Sequence, residues 1–427
     1  MILVLTALLL SAPTPQQAPP GFTPLFDGTS LEGWRGRPHL APGTEQGWDP
    51  EERAAQQAGW DADVALHWSV RDGVIVNDGH GVFLTTEREF GDFELLLEYK
   101  TVAQADSGLY LKATPQVQIW DTTEAGGKWE IGAGKGSGGL WNNQRFARDP
   151  LVKADRPFGE WNQVRVLMVG ARVSVWLNGQ KTVDHTPLEN YWDRSQPLPP
   201  RGPVQLQTHG GEIRFRGLAV HELSSDEANL VLASHGDEGF RRAFNGRDFD
   251  GWAGPVEDYM VQGGALLCRP GRGGTIYTEE EYGDFAARIE FQLPPGGNNG
   301  LAIRYPGQGD TAYVGMCELQ VLDDSAPKYA GLKPYQFHGS VYGMVPAARG
   351  YQRPVGDWNF QEVTVVGSTI QVELNGSLIT EADLGTIEAP MSGHEHPGRT
   401  RSRGHFGFAG HNDPVRFRRV FLKRLDG

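Results

Sequence analysis

Two tandem all-β domains, each a jelly-roll β-sandwich, are predicted by three features of this sequence. Gly 57 and Pro 28 are abundant and separate short runs of strand composition. Asn-Gly and Gly-containing turn signals join those runs. The chain also repeats itself in one fixed order, with a period of roughly 200 residues, which is the size of a whole domain rather than of a solenoid unit.

Taken in order, residues 1–20 come first. Ile2 to Leu10 is apolar and is followed by Ser11-Ala12-Pro13 and a Pro/Gln-rich stretch, so the segment reads as a secretory signal peptide and a secreted or periplasmic location is expected. The first domain is placed at 21–223, a linker at 224–236 and the second domain at 237–427. Phe26-Asp27-Gly28 with Gly33-Trp34 matches Phe244-Asn245-Gly246 with Gly251-Trp252. Phe90-Gly91-Asp92-Phe93 matches Tyr282-Gly283-Asp284-Phe285, and Asp106-Ser107-Gly108-Leu109 matches Asn298-Asn299-Gly300-Leu301. Gly159-Glu160-Trp161-Asn162 matches Gly356-Asp357-Trp358-Asn359, and Leu177-Asn178-Gly179 matches Leu374-Asn375-Gly376. His209 and Arg214-Phe215-Arg216 match His411 and Arg416-Phe417-Arg418.

Each copy reads as strands. Phe93 to Tyr99 and Ala287 to Phe291 have strand composition, while Val164–Val169 with Val173–Leu177, and Glu362–Val366 with Thr369–Leu374, read as hairpins. One helix is expected, capped by Asp49, opened by Pro50 and ended by Gly59, inside an insertion from Arg35 to Leu66 that the second copy lacks. Long loops follow at Thr122 to Asp155 and Asp324 to Pro354, where a rigid β scaffold often carries its site.

A net charge of -14 argues against a nucleic-acid partner, since phosphate binding needs a basic surface. No segment after the start is long and apolar enough to cross a membrane, so an integral membrane protein is not expected. The two cysteines, Cys268 and Cys317, read equally as one disulfide or as two buried thiols.

The second domain centres on Cys317-Glu318-Leu319-Gln320-Val321-Leu322-Asp323-Asp324. Its alternation puts Glu318 and Gln320 on one face of a strand, about 7 Å apart, and Leu319 and Val321 on the other. Asp323 has the wrong parity for that face unless a bulge re-aims it. The first domain repeats the strand as Gln116-Val117-Gln118-Ile119-Trp120-Asp121, with Gln116 in place of Glu318.

The ordered motifs Phe-Asp-Gly…Gly-Trp, Gly-Asp-Phe, Gly-Glu-Trp-Asn, Leu-Asn-Gly and Leu206-Gln207-Thr208-His209-Gly210 resemble the 3-keto-disaccharide hydrolase domain family. That family belongs to the concanavalin A-like lectin/glucanase superfamily, and the resemblance runs once through each domain. Asn190-Tyr191-Trp192-Asp193-Arg194 and His338-Gly339-Ser340-Val341-Tyr342-Gly343 resemble features of two subgroups. The resemblance implies a carbohydrate ligand and cleavage of glycosides already oxidised to a ketone at C3. Such a ketone acidifies the C2 hydrogen. A base that takes it forms an enolate, the enolate expels the aglycone from C1, and water adds back. The site then needs a base, a cation or donors at the enolate oxygen, and an acid for the leaving group.

In the second domain the expected base is Glu318, the cation Arg304, and the polar partners Gln320 and His411, with Asp323 in reserve and Tyr342 stacking on the sugar. In the first domain Lys112 is the expected cation, Asp121 the base with Glu130 behind it, and Gln116, Gln118 and His209 the polar groups. Trp120, Trp129, Trp141 and Trp192 are candidates for sugar stacking, Trp141 foremost and Trp120 more in keeping with core packing. His394 and His396 have metal-like spacing but no third ligand, so no metal residues are assigned and no cofactor is counted as certain, although a divalent metal stays open. Two other readings compete: a lectin-like binding protein using the same groove, and an ordinary glucanase. The Glu318-x-Gln320-x-x-Asp323 spacing resembles a glucanase strand, but Gln320 replaces the middle carboxylate.

Overall fold

The computed structural model describes residues 18–426. The expected signal sequence therefore lies almost wholly outside the described residues. The chain forms two units, Met1–Leu223 and Ser224–Gly427, and each is a sandwich of two antiparallel sheets.

In the first unit the larger sheet runs, edge to edge, through Gln180–Pro187, Arg172–Leu177, Asn162–Val169, Phe93–Thr101, Ile213–Glu222, Val74–Asn77 and Trp68–Arg71. The smaller sheet runs through Trp34–Arg37, Phe83–Thr86, Gln205–Leu206, Asp106–Leu111 and Thr114–Trp120. The second unit repeats both orders. Its larger sheet runs from Ser377–Asp383 through Thr369–Leu374, Trp358–Val366, Phe285–Gln292, Arg416–Arg424 and Ala265–Cys268 to Tyr259–Gln262. Its smaller sheet runs through Trp252–Ala253, Gly273–Tyr282, Gly404–His411, Asn298–Tyr305 and Cys317–Leu322. These are two jelly-roll domains.

The repeated motifs have repeated jobs. Trp34 and Trp252 each donate their indole N–H back to the start of their unit, to Leu25 O and Ala243 O. Asn178 and Asn375 adopt positive φ in the Asn-Gly turns. Each asparagine also ties its hairpin to the preceding loop, through Ala154 O and Asn162 in one unit and Tyr351 O and Asn359 in the other. Each core lies between the two sheets. Leu109, Leu111, Val117 and Ile119 line it in the first unit, and Leu301, Ile303, Leu319 and Val321 in the second.

Two expectations change, and one open alternative is settled. The insertion helix covers Pro50–His67, so Gly59 does not end it; the cap at Asp49 is as expected, accepting from Glu51 N and Glu52 N. The segment expected as a linker is a helix, Ser225–Ser234, opened by a capping box between Ser224 and Glu227. It packs on the second unit: Asn229 donates to Trp358 O and accepts from Arg353. Cys268 and Cys317 are both buried free thiols, which settles the alternative left open above.

Candidate functional site

The smaller sheet of each unit turns its second face away from the core, and there the polar residues gather. In the second unit the alternation of Cys317–Leu322 holds, so Glu318 and Gln320 both project from that face, each 5% exposed. The loop that follows pairs with this strand as a further edge: Gln320 N donates to Ser340 O, Gly339 N to Gln320 O and Tyr342 N to Glu318 O. The neighbouring strand lies opposite in register, with Gly300 facing Gln320. A Cβ on Gly300 would meet Glu318 Oε1 at 2.2 Å, so glycine there makes room for the carboxylate.

Glu318 Oε1 lies 3.5 Å from His411 Nε2, on the next strand but one. That carboxylate holds the imidazole above its ordinary pKa, against the cost of burial, with Asp310 and Asp413 adding to it. Gln320 spends its amide hydrogens on Asn298 Oδ1 (2.6 Å) and Asn299 O (3.3 Å), which leaves its oxygen as an acceptor. Tyr342 is half-buried, and its hydroxyl accepts from Gln336. Tyr313 lies in the short helix Thr311–Val314, which packs against the strand Cys317–Leu322; burial raises its pKa, with Tyr342, Asp310 and Glu318 adding to it.

The first unit builds a related cluster with its carboxylate elsewhere. Gln116 and Gln118 occupy the positions of Glu318 and Gln320, and Gln116 donates to Gln118. Gln118 in turn donates to Asp106 Oδ1 at 2.7 Å, as Gln320 does to Asn298. Asp106 is the buried carboxylate here. His209 Nδ1 lies 2.5 Å from its Oδ2, and Lys128, from the long loop, binds the same oxygen. The two copies have exchanged an acid and an amide: Asp106 with Gln116 in one, Asn298 with Glu318 in the other.

The expected cations are not in these clusters. Arg304 is 1% exposed, but it is buried inside the sandwich end rather than on the sheet face. Its φ of 47° lies in the left-handed region and coincides with a register shift, so the alternation that would have aimed it outward is broken. It donates to Gly283 O, Gly367 O, Arg401 O and Asp284. Burial lowers its pKa. Lys112, at the matching place and with φ 55°, donates to Gly170 O, and burial brings it down to about 8.

The expected aspartates are also committed elsewhere. Asp323 accepts from Gly296 N, Ser325 N and Ser325 Oγ, and Asp121 accepts from Gln104 N, Thr123 N and Thr123 Oγ1. These bonds hold both carboxyls below their ordinary pKa even though burial opposes it. Each locks the turn after its strand, apart from the sheet face that carries Glu318 and Gln116. Glu130 is exposed on its loop.

Among the tryptophans, Trp120 is buried and meets Trp141 edge to face, and Arg148 covers Trp141 at 3.8 Å. By strand register Trp141 holds the place that Tyr342 holds in the second unit, because Gly138-Gly139 pairs with Gln118 as Gly339-Ser340 pairs with Gln320. Trp129 is 39% exposed with Lys153 over its ring. Trp192 packs on His39 with the rings tilted by 50° and their centroids 4.5 Å apart. His396 is buried, bonded to Ala312 O and packed on Tyr313, while His394 is exposed. Among the described residues no three His, Cys, Asp or Glu side chains are grouped to hold a metal ion.

Sequence reasoning missed Asp106, Lys128, His39 and Tyr313. Asp106 had a signal: it is the one chemical difference in the Asp106-Ser107-Gly108-Leu109 repeat that mirrors the Gln116/Glu318 exchange. Lys128 had none beyond lying in the expected loop.

Residues 21–221 and 239–423 each match the sequence profile of the 3-keto-alpha-glucoside-1,2-lyase-like domain. The chain belongs to this family, in two tandem copies. A 3-keto-disaccharide hydrolase from Bacteroides thetaiotaomicron is 25% identical over 232 residues, covering 44% of this chain and 79% of the relative. A solved structure from Parabacteroides distasonis, described as a candidate glycosyl hydrolase, is 24% identical with a TM-score of 0.39, over 44% of this chain and 99% of that one. The carbohydrate-binding module CBM66 from Bacillus subtilis is 15% identical with a TM-score of 0.29, over 40% of this chain and 95% of that one. Family membership makes this a carbohydrate-related protein of the hydrolase/lyase type. No helix among the described residues is long and apolar enough to cross a membrane.

Proposed function

We propose that the protein cleaves 3-keto-glycosides by abstraction of the C2 proton and elimination of the aglycone, with water adding back to give net hydrolysis. The observation that carries this reading is the Glu318–His411 pair: one buried carboxylate in reach of an imidazole whose protonated form it favours. A carboxylate beside a proton donor suits removal of one proton and delivery of another. An ordinary glycosidase instead needs two carboxylates across the bond. Asp323, the second carboxylate of that strand, is held in its own turn.

In this reading Glu318 takes the C2 proton, Gln320 Oε1 accepts a sugar hydroxyl, and the His411 imidazolium protonates the leaving oxygen. Tyr342 and Tyr313 flank the ring. The test compares the purified full-length protein on a disaccharide and on its 3-keto form. Turnover of the ketone alone, with solvent deuterium entering at C2, is the expected result. Equal cleavage of both sugars overturns the elimination mechanism, and binding of both without turnover favours a lectin.

A further inference from the structure

We propose that the first unit is a second catalytic centre, in which Asp106 takes the role of base and Lys128 supplies the cation at the enolate oxygen. The proposal rests on the reading above and extends it to a site with a different arrangement. The matching position of the expected base is Gln116 here, and an amide cannot take a proton at neutral pH. A unit that had simply decayed would have lost the acid. Instead the acid stands on the adjacent strand, on the same sheet face, bonded to the amide of Gln118 and to His209. The space is kept as well: a Cβ on Gly108 would meet Gln116 Cδ and Gln207 Oε1, both at 3.0 Å.

Lys128 is what this centre has beyond the second unit's. Elimination through an enolate gains most from a charge placed where the negative charge develops. Arg304 and Lys112, the cations expected for that task, are tied inside the sandwiches. Lys128 is on the open side of the sheet, its side chain 32% exposed and its ammonium already on Asp106. The Asp106 face of the strand runs on to Tyr110, four residues or about 13 Å away. There Tyr110 Oη lies 2.9 Å from His39 Nδ1, and His39 packs on Trp192 and Tyr191. His39 comes from the insertion that the second copy lacks, and Ala302 stands where Tyr110 does. The centre therefore suits a 3-keto-glycoside whose second ring stacks on this aromatic wall.

The step balances within the site. Asp106 forms an O–H bond as the C2–H bond breaks, and that electron pair makes the enolate, whose oxygen faces Lys128. The enolate collapses to restore the ketone, forming the C1–C2 double bond as the C1–O bond breaks. The proton leaves through His209 to the departing oxygen, and water then adds at C1 while C2 regains a proton.

Four full-length proteins test this: wild type, Glu318→Gln, Asp106→Asn and the double variant, each assayed on a 3-keto-disaccharide with NMR of deuterium entry at C2. Each single variant is expected to keep measurable turnover, and the double variant to fall by about 10²–10⁴-fold. Because loss of the buried Asp106 could unfold its unit, Lys128→Gln in the Glu318→Gln background repeats the test. It should lower kcat with little change in KM, and Lys128→Arg should restore much of it. The inference is overturned if Glu318→Gln alone removes all turnover, or if neither first-unit change alters the rate of the Glu318→Gln protein. A wild type inert toward 3-keto sugars overturns the functional reading itself, and this inference with it.

Discussion

Glu318 and Asp106 are both almost fully buried, and each is bearable there because a histidine stands beside it. Burying a carboxylate without a partner would cost several kcal/mol or force it neutral, by the general penalty of about 2–7 kcal/mol even for uncharged polar groups. The effect is legible on His411, whose pKa lies above the ordinary 6.5 chiefly through Glu318. The sign follows from the direction. A histidine raised in the folded state contributes stability that is fully present below its unfolded value, and this is lost as pH rises through the raised value. NMR titration of His411 should therefore show a midpoint above 6.5, and Glu318→Gln should bring it down. A midpoint unmoved by Glu318→Gln would mean that Asp310 and Asp413, the other charges acting on His411, hold it up instead.

Strand alternation explains why Gln320 shares the face of Glu318 and why Leu319 and Val321 fill the core. It fails at the end of the next strand, where Arg304 enters the left-handed region and folds into the sandwich. There its guanidinium reaches Gly367 O, in the tight turn of a hairpin belonging to the other sheet. Asp284 completes the link, accepting from both Arg304 and Gly367 N. Arg304→Met should thus lower stability toward the smaller end of the about 3–5 kcal/mol typical of breaking a buried pair, because Asp284 keeps some contact with water. Urea unfolding would read this as a lower midpoint, while kcat of the folded protein stays at wild type. A large loss of kcat at unchanged stability would put Arg304 back in the mechanism.

Across the whole chain, each unit holds a complete pair of sheets and its own core. We predict that each half folds alone when the chain is cut between Leu223 and Ser224. The position matters because the helix Ser225–Ser234 is bonded to the second unit through Asn229 and Arg353. A cut after Gly236 should give a less stable second half. Calorimetry on the halves decides it, and failure of both to show a cooperative transition would mean that neither core suffices by itself.

The amino-acid sequence by itself determined the repeat, the all-β class with its hairpins, and the face on which Glu318, Gln320, Gln116 and Gln118 stand. All of these rest on local rules: period-two alternation, Asn-Gly turn chemistry and motifs met twice in order. Only the tertiary structure decided which charges share a site. The direction of Arg304 and Lys112 depends on the sign of φ at one residue, and alternation carries no record of that. Asp323 and Asp121 look like catalytic acids until their turns close around them. Asp106 and Gln118 are 12 positions apart in the chain yet hydrogen-bonded, because antiparallel register sets Asp106 opposite Trp120, beside Gln118. Lys128 arrives from a loop whose path no periodic pattern describes, and its charge meets Asp106 only once that loop has closed over the sheet.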